Sequence, residues 1–160
     1  MQKDFHLHKY LFNILLFKII FKILMINELK FNHFGIAVKD SKKSQKIFYK
    51  QGYTLIKDVV DENQNIKASL IRKEKQFDIE IISKININDK TPIDTLIQDN
   101  KSAIYHICYE CKNIDKLIDD FKKENIWFKN VVKRMHSPLF NKDVSFYITD
   151  SIGVIEIIHI

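Results

Sequence analysis

The tetrapeptide Ile79-Glu80-Ile81-Ile82 recurs at the C-terminal end of the chain as Ile155-Glu156-Ile157-Ile158. This echo constrains the fold more than any other stretch, because each copy closes a segment that opens with a histidine in an apolar, strand-like run. His33 sits in Phe31-Asn-His-Phe-Gly-Ile-Ala-Val38, and His106 in Ile104-Tyr-His-Ile-Cys-Tyr109. His33 precedes Glu80 by 47 residues, and His106 precedes Glu156 by a similar interval. An offset of 73 superposes His33 on His106, Lys39 on Lys112, Phe48 on Phe121, Lys50 on Lys123 and Val59 on Val132. A period of this length marks a duplicated supersecondary unit.

Each copy reads as βαβββ. In the first, Phe31 to Val38 has the apolar, β-branched content of a strand. Asp40-Ser41 offers an N-cap, Ser41 to Gln51 a helix turning Ile47 and Phe48 inward, and Gly52 a stop. Strands follow at Tyr53 to Val60, Ile66 to Arg72 and Phe77 to Ser83, divided by polar turns. A linker from Asn86 to Asn100 is expected to hold a short helix starting near Pro92. The second copy has a strand at Ala103 to Cys111 and a helix at Ile114 to Glu124 with Leu117, Ile118 and Phe121 inward. Its last strands are Trp127 to Val132, Val144 to Ile148 and Val154 to Ile158. One βαβββ unit cannot bury its sheet alone. The modules, 30–85 and 102–160, must pack as a single domain spanning 25–160 or exchange between the chains of a homodimer.

Residues 1–24 do not share this pattern. The run Tyr10 to Ile26 is almost wholly apolar but carries Asn13, Lys18 and Lys22, which weighs against a membrane span. His6 and His8 read as tail rather than ligands. Met25 is an alternative start, which would make the preceding hydrophobic extension an over-extended reading frame. Four lysines against one aspartate here supply half of the formal +6 charge. The remaining lysines are spread over helix faces, which excludes a massed nucleic-acid surface. Cys108 and Cys111 fall in one strand, where their spacing points them to opposite faces. They read as buried thiols of a reducing, cytoplasmic compartment, not as a zinc or redox pair.

The duplicated histidines and glutamates carry the chemistry. Alone, a histidine in an apolar strand is an ordinary core residue, and a glutamate among isoleucines faces solvent. Taken together, pseudo-twofold packing would bring two imidazoles and two carboxylates to one place. That donor set is charge-compensated for a divalent ion, and its mixed nitrogen and oxygen ligation suits one Co, Ni, Mn, Zn or Fe.

Asn32-His-Phe-Gly-Ile-Ala-Val-Lys-Asp40, then Ser44-Gln-Lys-Ile-Phe-Tyr49 and Gly52-Tyr53, resembles the opening of the vicinal oxygen chelate superfamily of glyoxalase, bleomycin-resistance and extradiol-dioxygenase proteins. Tyr105-His-Ile-Cys-Tyr-Glu110, and Phe140-Asn-Lys-Asp-Val-Ser-Phe146 before Gly153-Val-Ile-Glu156, are most similar to its methylmalonyl-CoA epimerase branch. The resemblance covers Lys30 to about His159. It implies an α+β fold in which two βαβββ modules form a cupped eight-stranded mixed sheet. It also implies a metal held by His33, Glu80, His106 and Glu156, with Glu156 and Glu80 as catalytic carboxylates and Glu156 the principal base. Two departures qualify it. Epimerases of this type usually have Gln at the position of Glu80, and their further catalytic glutamate would fall near Ala68. The His/Glu/His/Glu set is more like bacterial metal-dependent glyoxalase I.

The expected activity is a metal-dependent isomerase, epimerase or lyase that moves a proton α to a carbonyl. Its substrate would be a small molecule such as a CoA thioester or a thiol hemithioacetal. Lys129 or Lys133 are candidates for phosphate contacts. Met135-His136-Ser-Pro138 is expected in a pocket-lining loop, with His136 as a candidate auxiliary acid/base. The alternative is a metal-free binding or accessory protein on the same fold. An extradiol dioxygenase, with two histidines and one carboxylate around iron, is disfavoured by the extra Glu80.

Overall fold

A computed structural model describes residues 29–160; the extension and the proposed start at Met25 lie outside the described residues. The chain runs β1 (Leu29–Ala37), α1 (Ser41–Lys50), β2 (Thr54–Asp61), β3 (Ile66–Arg72), β4 (Asp78–Lys84), β5 (Ala103–Cys111), α2 (Ile114–Lys123), β6 (Phe128–Ser137), β7 (Lys142–Thr149) and β8 (Gly153–His159). The strands form one sheet in the order β2-β3-β4-β1-β5-β8-β7-β6. Within each module the first and last strands pair in parallel, β1 with β4 and β5 with β8. The modules join through the antiparallel pair β1 and β5. Both halves thus come from one chain, and β2 and β6 are the sheet's two edges.

The duplication extends to the helix ends. Asp40 accepts from the Lys43 amide and Asn113 from the Lys116 amide, each at 2.9 Å, so one N-cap is used twice. At the far ends the Tyr53 amide bonds to the Phe48 carbonyl and the Ile126 amide to the Phe121 carbonyl. Gly52 (φ 88°) and Asn125 (φ 54°) take the left-handed position this closure requires.

Side chains alternate across the sheet and build two layers. On the helix face, Leu117 and Phe121 of α2 pack on Tyr147, Ile155 and Ile157, while Phe48 of α1 packs with Ile71, Ile79 and Ile81. Burying each large apolar side chain contributes about 1.5–3 kcal/mol. The concave face is filled by Ile82 with Ala37 and Ile66, by Ala68 and Leu70 under Leu139, and by Cys108, Val144, Phe146 and Ile158. Cys108 and Cys111 form no disulfide, are buried, and are part of different clusters, as their spacing required.

Three local expectations are corrected. No helix begins near Pro92: residues 92–96 form turns, and the only helical piece there is the 3-10 turn Gln98–Asn100. Thr91 Oγ1 accepts from the Ile93 amide and Asp94 from the Thr91 amide, the reciprocal bonds of a helix start, but beyond the Ile97 amide bond to the Ile93 carbonyl the chain does not continue as a helix. Ile47 is 51% exposed, because the ten-residue α1 meets the sheet along the narrow stripe that Phe48 occupies. Finally, β6 runs on through Lys133-Arg134 to Ser137, its register reset by irregularities between Asn130 and Val132 and between Val132 and Met135. Met135 and His136 therefore lie in a strand, not a loop.

Candidate metal centre

His33 (β1) and His106 (β5) come from the two central strands, and Glu80 (β4) and Glu156 (β8) from the strands flanking them. All four reach the concave face, and none is more than 6% exposed. His33 Nε2 lies 3.0 Å from Glu80 Oε2, 3.1 Å from His106 Nε2 and 3.5 Å from Glu156 Oε2. His106 Nε2 is 3.2 Å from both Glu80 Oε2 and Glu156 Oε2.

These separations match the edges of a coordination shell. Donors about 2.0–2.2 Å from a common ion lie roughly 3 Å apart along octahedral edges and about 3.4 Å apart along tetrahedral ones. Two features show that protons alone satisfy the cluster badly. The two Nε2 atoms face each other at 3.1 Å, so one must carry a hydrogen or both must share a cation. Glu156 Oε2 is within ion-pair range of both rings yet accepts no well-directed hydrogen bond. A buried carboxylate oxygen left unpaired is costly. The residues fit a single divalent ion.

Electrostatics without an ion express the same strain. Burial would lower His106, but the Glu156 and Glu80 carboxylates overcome it and raise the imidazole to about 10. Burial would raise Glu80, but His106 and His33 hold its carboxyl down to about 2. Burial, with both carboxylates nearby, pushes the Tyr105 phenol up to about 12 and pushes the Cys108 thiol up as well. Both side chains stay neutral beside the cluster.

The two modules hold their imidazoles differently. Asn32 Oδ1 lies 2.9 Å from His33 Nδ1, while Asn32 Nδ2 donates to Glu110 Oε1 at 3.0 Å and Lys30 donates to Glu110 Oε2 at 3.1 Å. Because Glu110 can only accept, the amide oxygen must face His33. Nδ1 therefore carries a hydrogen, and Nε2 is the nitrogen turned towards the cluster. At the equivalent place in the second module stands Tyr105, whose ring packs edge-on to His106 at 5.0 Å, and His106 Nδ1 has no partner. His106 is held by shape instead, lying across Gly35, its cross-strand neighbour. Phe140 stacks on His33 at 5.2 Å.

The chamber around the donors is small, about 30 Å³, with walls that include Ala68, Tyr105, Leu139 and Phe146. Ala68 is buried in an apolar wall with Leu70 and Leu139. Lys129, Lys133 and His136 do not border this chamber. Lys133 lines a separate hollow on the helix face, and His136 is exposed beside Asp143. Ser137 and Pro138 do border it. Sequence reasoning missed Asn32 as a brace, Gly35 as a floor and Phe140 as a cover. Asn32 and Gly35 flank His33 in the very motif that carried the resemblance.

Fold and site together define a protein of paired βαβββ modules with two histidines and two glutamates gathered on the sheet's concave face. Residues 32–137 match the Glyoxalase/Bleomycin resistance protein/Dioxygenase superfamily, and the chain belongs to that superfamily. No curated protein matches its sequence. Among solved structures it is similar to methylmalonyl-CoA epimerase from Mycobacterium tuberculosis, at a TM-score of 0.65 and 14% identity, over 81% of this chain and 87% of that one. A hypothetical protein from Bacillus halodurans is similar at a TM-score of 0.68 and 20% identity, over 82% and 94% of the two chains. A Streptomyces coelicolor methylmalonyl-CoA epimerase in complex with 2-nitronate-propionyl-CoA gives a TM-score of 0.63 at 11% identity, over 81% and 96%. At these identities the likeness is one of fold. Among the described residues no helix is long and apolar enough to cross a membrane.

Proposed function

We propose that the protein is a divalent-metal-dependent isomerase, epimerase or lyase that moves a proton α to a carbonyl of a small acyl substrate. A CoA thioester or a thiol hemithioacetal fits this reading. The observation that carries it is the convergence of His33, Glu80, His106 and Glu156, with separations of 3.0–3.5 Å among their donor atoms. These four would hold the ion. When bound, it would polarise the substrate carbonyl and acidify the neighbouring carbon.

The chain's own groups do the rest. Glu156 is the principal base: its Oε2 is the buried oxygen no hydrogen bond engages. Glu80 comes from the other module, related by the pseudo-twofold, and can return a proton from the opposite side, as epimerisation requires. The apolar wall of Ala68, Leu70 and Leu139 excludes water, which strengthens a carboxylate as a base. Tyr105, neutral and at the chamber wall, can donate a hydrogen bond to a developing negative charge. With Ala68 where another glutamate would stand, the two cluster carboxylates must handle the proton alone. Two buried cysteines with no disulfide suit a reducing compartment, and a cytoplasmic location belongs to this reading.

The test is metal content followed by α-proton exchange. Protein purified without chelator should carry about one divalent ion per chain, and His33→Ala or His106→Ala should lose it. Loaded protein should exchange the α-proton of methylmalonyl-CoA or of a methylglyoxal–thiol hemithioacetal into deuterated water. Glu156→Gln should lower that exchange by about 10²-fold or more. A chain that refuses Ni, Co, Mn and Zn would be a metal-free binding protein. A loaded chain with no exchange on either substrate would refute the catalytic reading.

A further inference from the structure

The donor cluster lies under a strap. The segment 137–141 leaves β6, crosses the mouth of the cup and enters β7. Leu139 is 4% exposed against Ala68 and Leu70, and Phe140 stacks on His33. The space beneath it, about 30 Å³, has room for an ion or a water, whereas small-molecule sites span roughly 300–1,000 Å³. A small-molecule substrate would need the strap to lift.

One cation fastens it. Lys57 Nζ donates to the Pro138 carbonyl at 2.7 Å and to the Leu139 carbonyl at 2.8 Å. Lys57 belongs to β2, one edge of the sheet, and the strap follows β6, the other edge. This side chain therefore closes the open cup across its mouth. The register of β2 slips between Leu55 and Lys57, and an irregularity of this kind re-aims the side chains beside it. Val59, two residues on and on the same face, lines the chamber. Lys57 has no carboxylate partner among the described residues, whereas Lys67 and Lys84 each have one. At the strap's far end the Asn141 amide bonds back to the Ser137 carbonyl at 2.8 Å, and Asn141 has φ 53°, which sets a defined turn there.

We infer that Lys57 is a latch that selects for anionic molecules. A carboxylate or phosphate meets the ammonium with a full opposite charge, whereas the Pro138 and Leu139 carbonyls offer it only dipoles. An incoming molecule with such a group near the mouth would take Lys57 from Pro138 and Leu139, release the strap and uncover the centre. A neutral molecule has nothing to exchange for the two carbonyls. This inference rests on reading the cup as a small-molecule site, but its test does not need turnover.

The experiment measures amide hydrogen exchange of Asn141 in metal-free protein, with malonate as the anionic probe so that chelation plays no part. Lys57→Met should raise the Asn141 rate roughly tenfold, the loss expected when two charge-assisted bonds at a partly exposed site are removed. Amides of β4 should not change, and Lys57→Arg should restore much of the protection. Malonate should accelerate Asn141 exchange in the wild type and leave Lys57→Met unaffected. In protein that binds Zn, release to a chelator should quicken in Lys57→Met in step with exchange. If the chain binds no metal, the proposed function falls while the exchange arm still decides the latch. Wild-type Asn141 protection in Lys57→Met, or equal acceleration by malonate in both proteins, would overturn the inference.

Discussion

Gly35→Ala should damage the metal centre without touching a donor. Gly35 and His106 are direct cross-strand partners, and the imidazole lies flat over the glycine on its way to His33 and Glu80. A Cβ at Gly35 would stand 2.7 Å from His106 Nδ1 and closer still to Cε1 and Nε2. Ordinary contact needs 3.4–4 Å, so the ring must retreat by about 1 Å. Gly35 does not have a positive φ, so the backbone accepts alanine and the effect is purely steric. The ring cannot retreat freely, because Tyr105 and Phe146 pack against it at 5.0 and 5.8 Å. Overpacking of this size costs about 1–3 kcal/mol of stability. A displaced donor should also weaken metal affinity by roughly 10–100-fold, comparable to losing the support of a ligand. Urea unfolding of metal-free protein gives the first number and a competitive metal titration the second. Gly153→Ala is the control. Gly153 has φ 79° and open space around its missing Cβ, so alanine there should cost about 1 kcal/mol of backbone strain and leave metal affinity alone. Wild-type metal affinity in Gly35→Ala would show that His106 reaches the centre by another route.

Three further outcomes are expected. Asn32→Ala should reduce metal affinity about 10–100-fold with little change in stability, because it frees the His33 tautomer; isothermal titration reads this directly. The metal-free protein should be most stable between roughly pH 4.5 and 6.5. His106, raised from 6.5 to about 10, contributes fully below 6.5 and loses that contribution as pH climbs towards 10. Glu80, lowered from 4.5 to about 2, contributes above 4.5 and loses it as pH falls towards 2. Urea melts across that range check both flanks, and metal uptake near neutrality should release a proton. Leu117→Ala, in the core under α2, should cost about 2–5 kcal/mol in the same melts and leave metal stoichiometry unchanged.

What the sequence made legible follows from its duplication. An offset that aligned His33 with His106 also aligned the N-caps Asp40 and Asn113, the closing residues Gly52 and Asn125, and Val59 with Val132. In the fold Val59 packs against Ala68, Leu70 and Leu139, Val132 against Cys108, Val144, Phe146 and Ile158, and Phe140 joins both clusters. Periodicity placed the strands because their faces bury different partners. It failed where local rules gave way: at Pro92, where a start capped by Thr91 and Asp94 does not continue as a helix, and at Lys133-Arg134, where a bulged edge strand tolerates charge. It also could not reveal groups that matter only through tertiary proximity. Lys57 reads as one surface lysine among many until the strap is seen lying 81 residues away against its ammonium. Asn32 looks like an ordinary polar residue until Glu110 fixes which end of its amide faces His33.

The antiparallel seam between β1 and β5 makes the metal centre a shared possession. Each module owns one imidazole and one carboxylate, and the connection between residues 85 and 102 supplies no donor to the cluster. An ion bound there is bound by both halves at once, and its affinity is part of what keeps them together. Cut in that connection, the halves would behave as two subunits whose assembly responds to the ion's concentration, and a bound ion would be the clasp of a heterodimer hidden inside one chain.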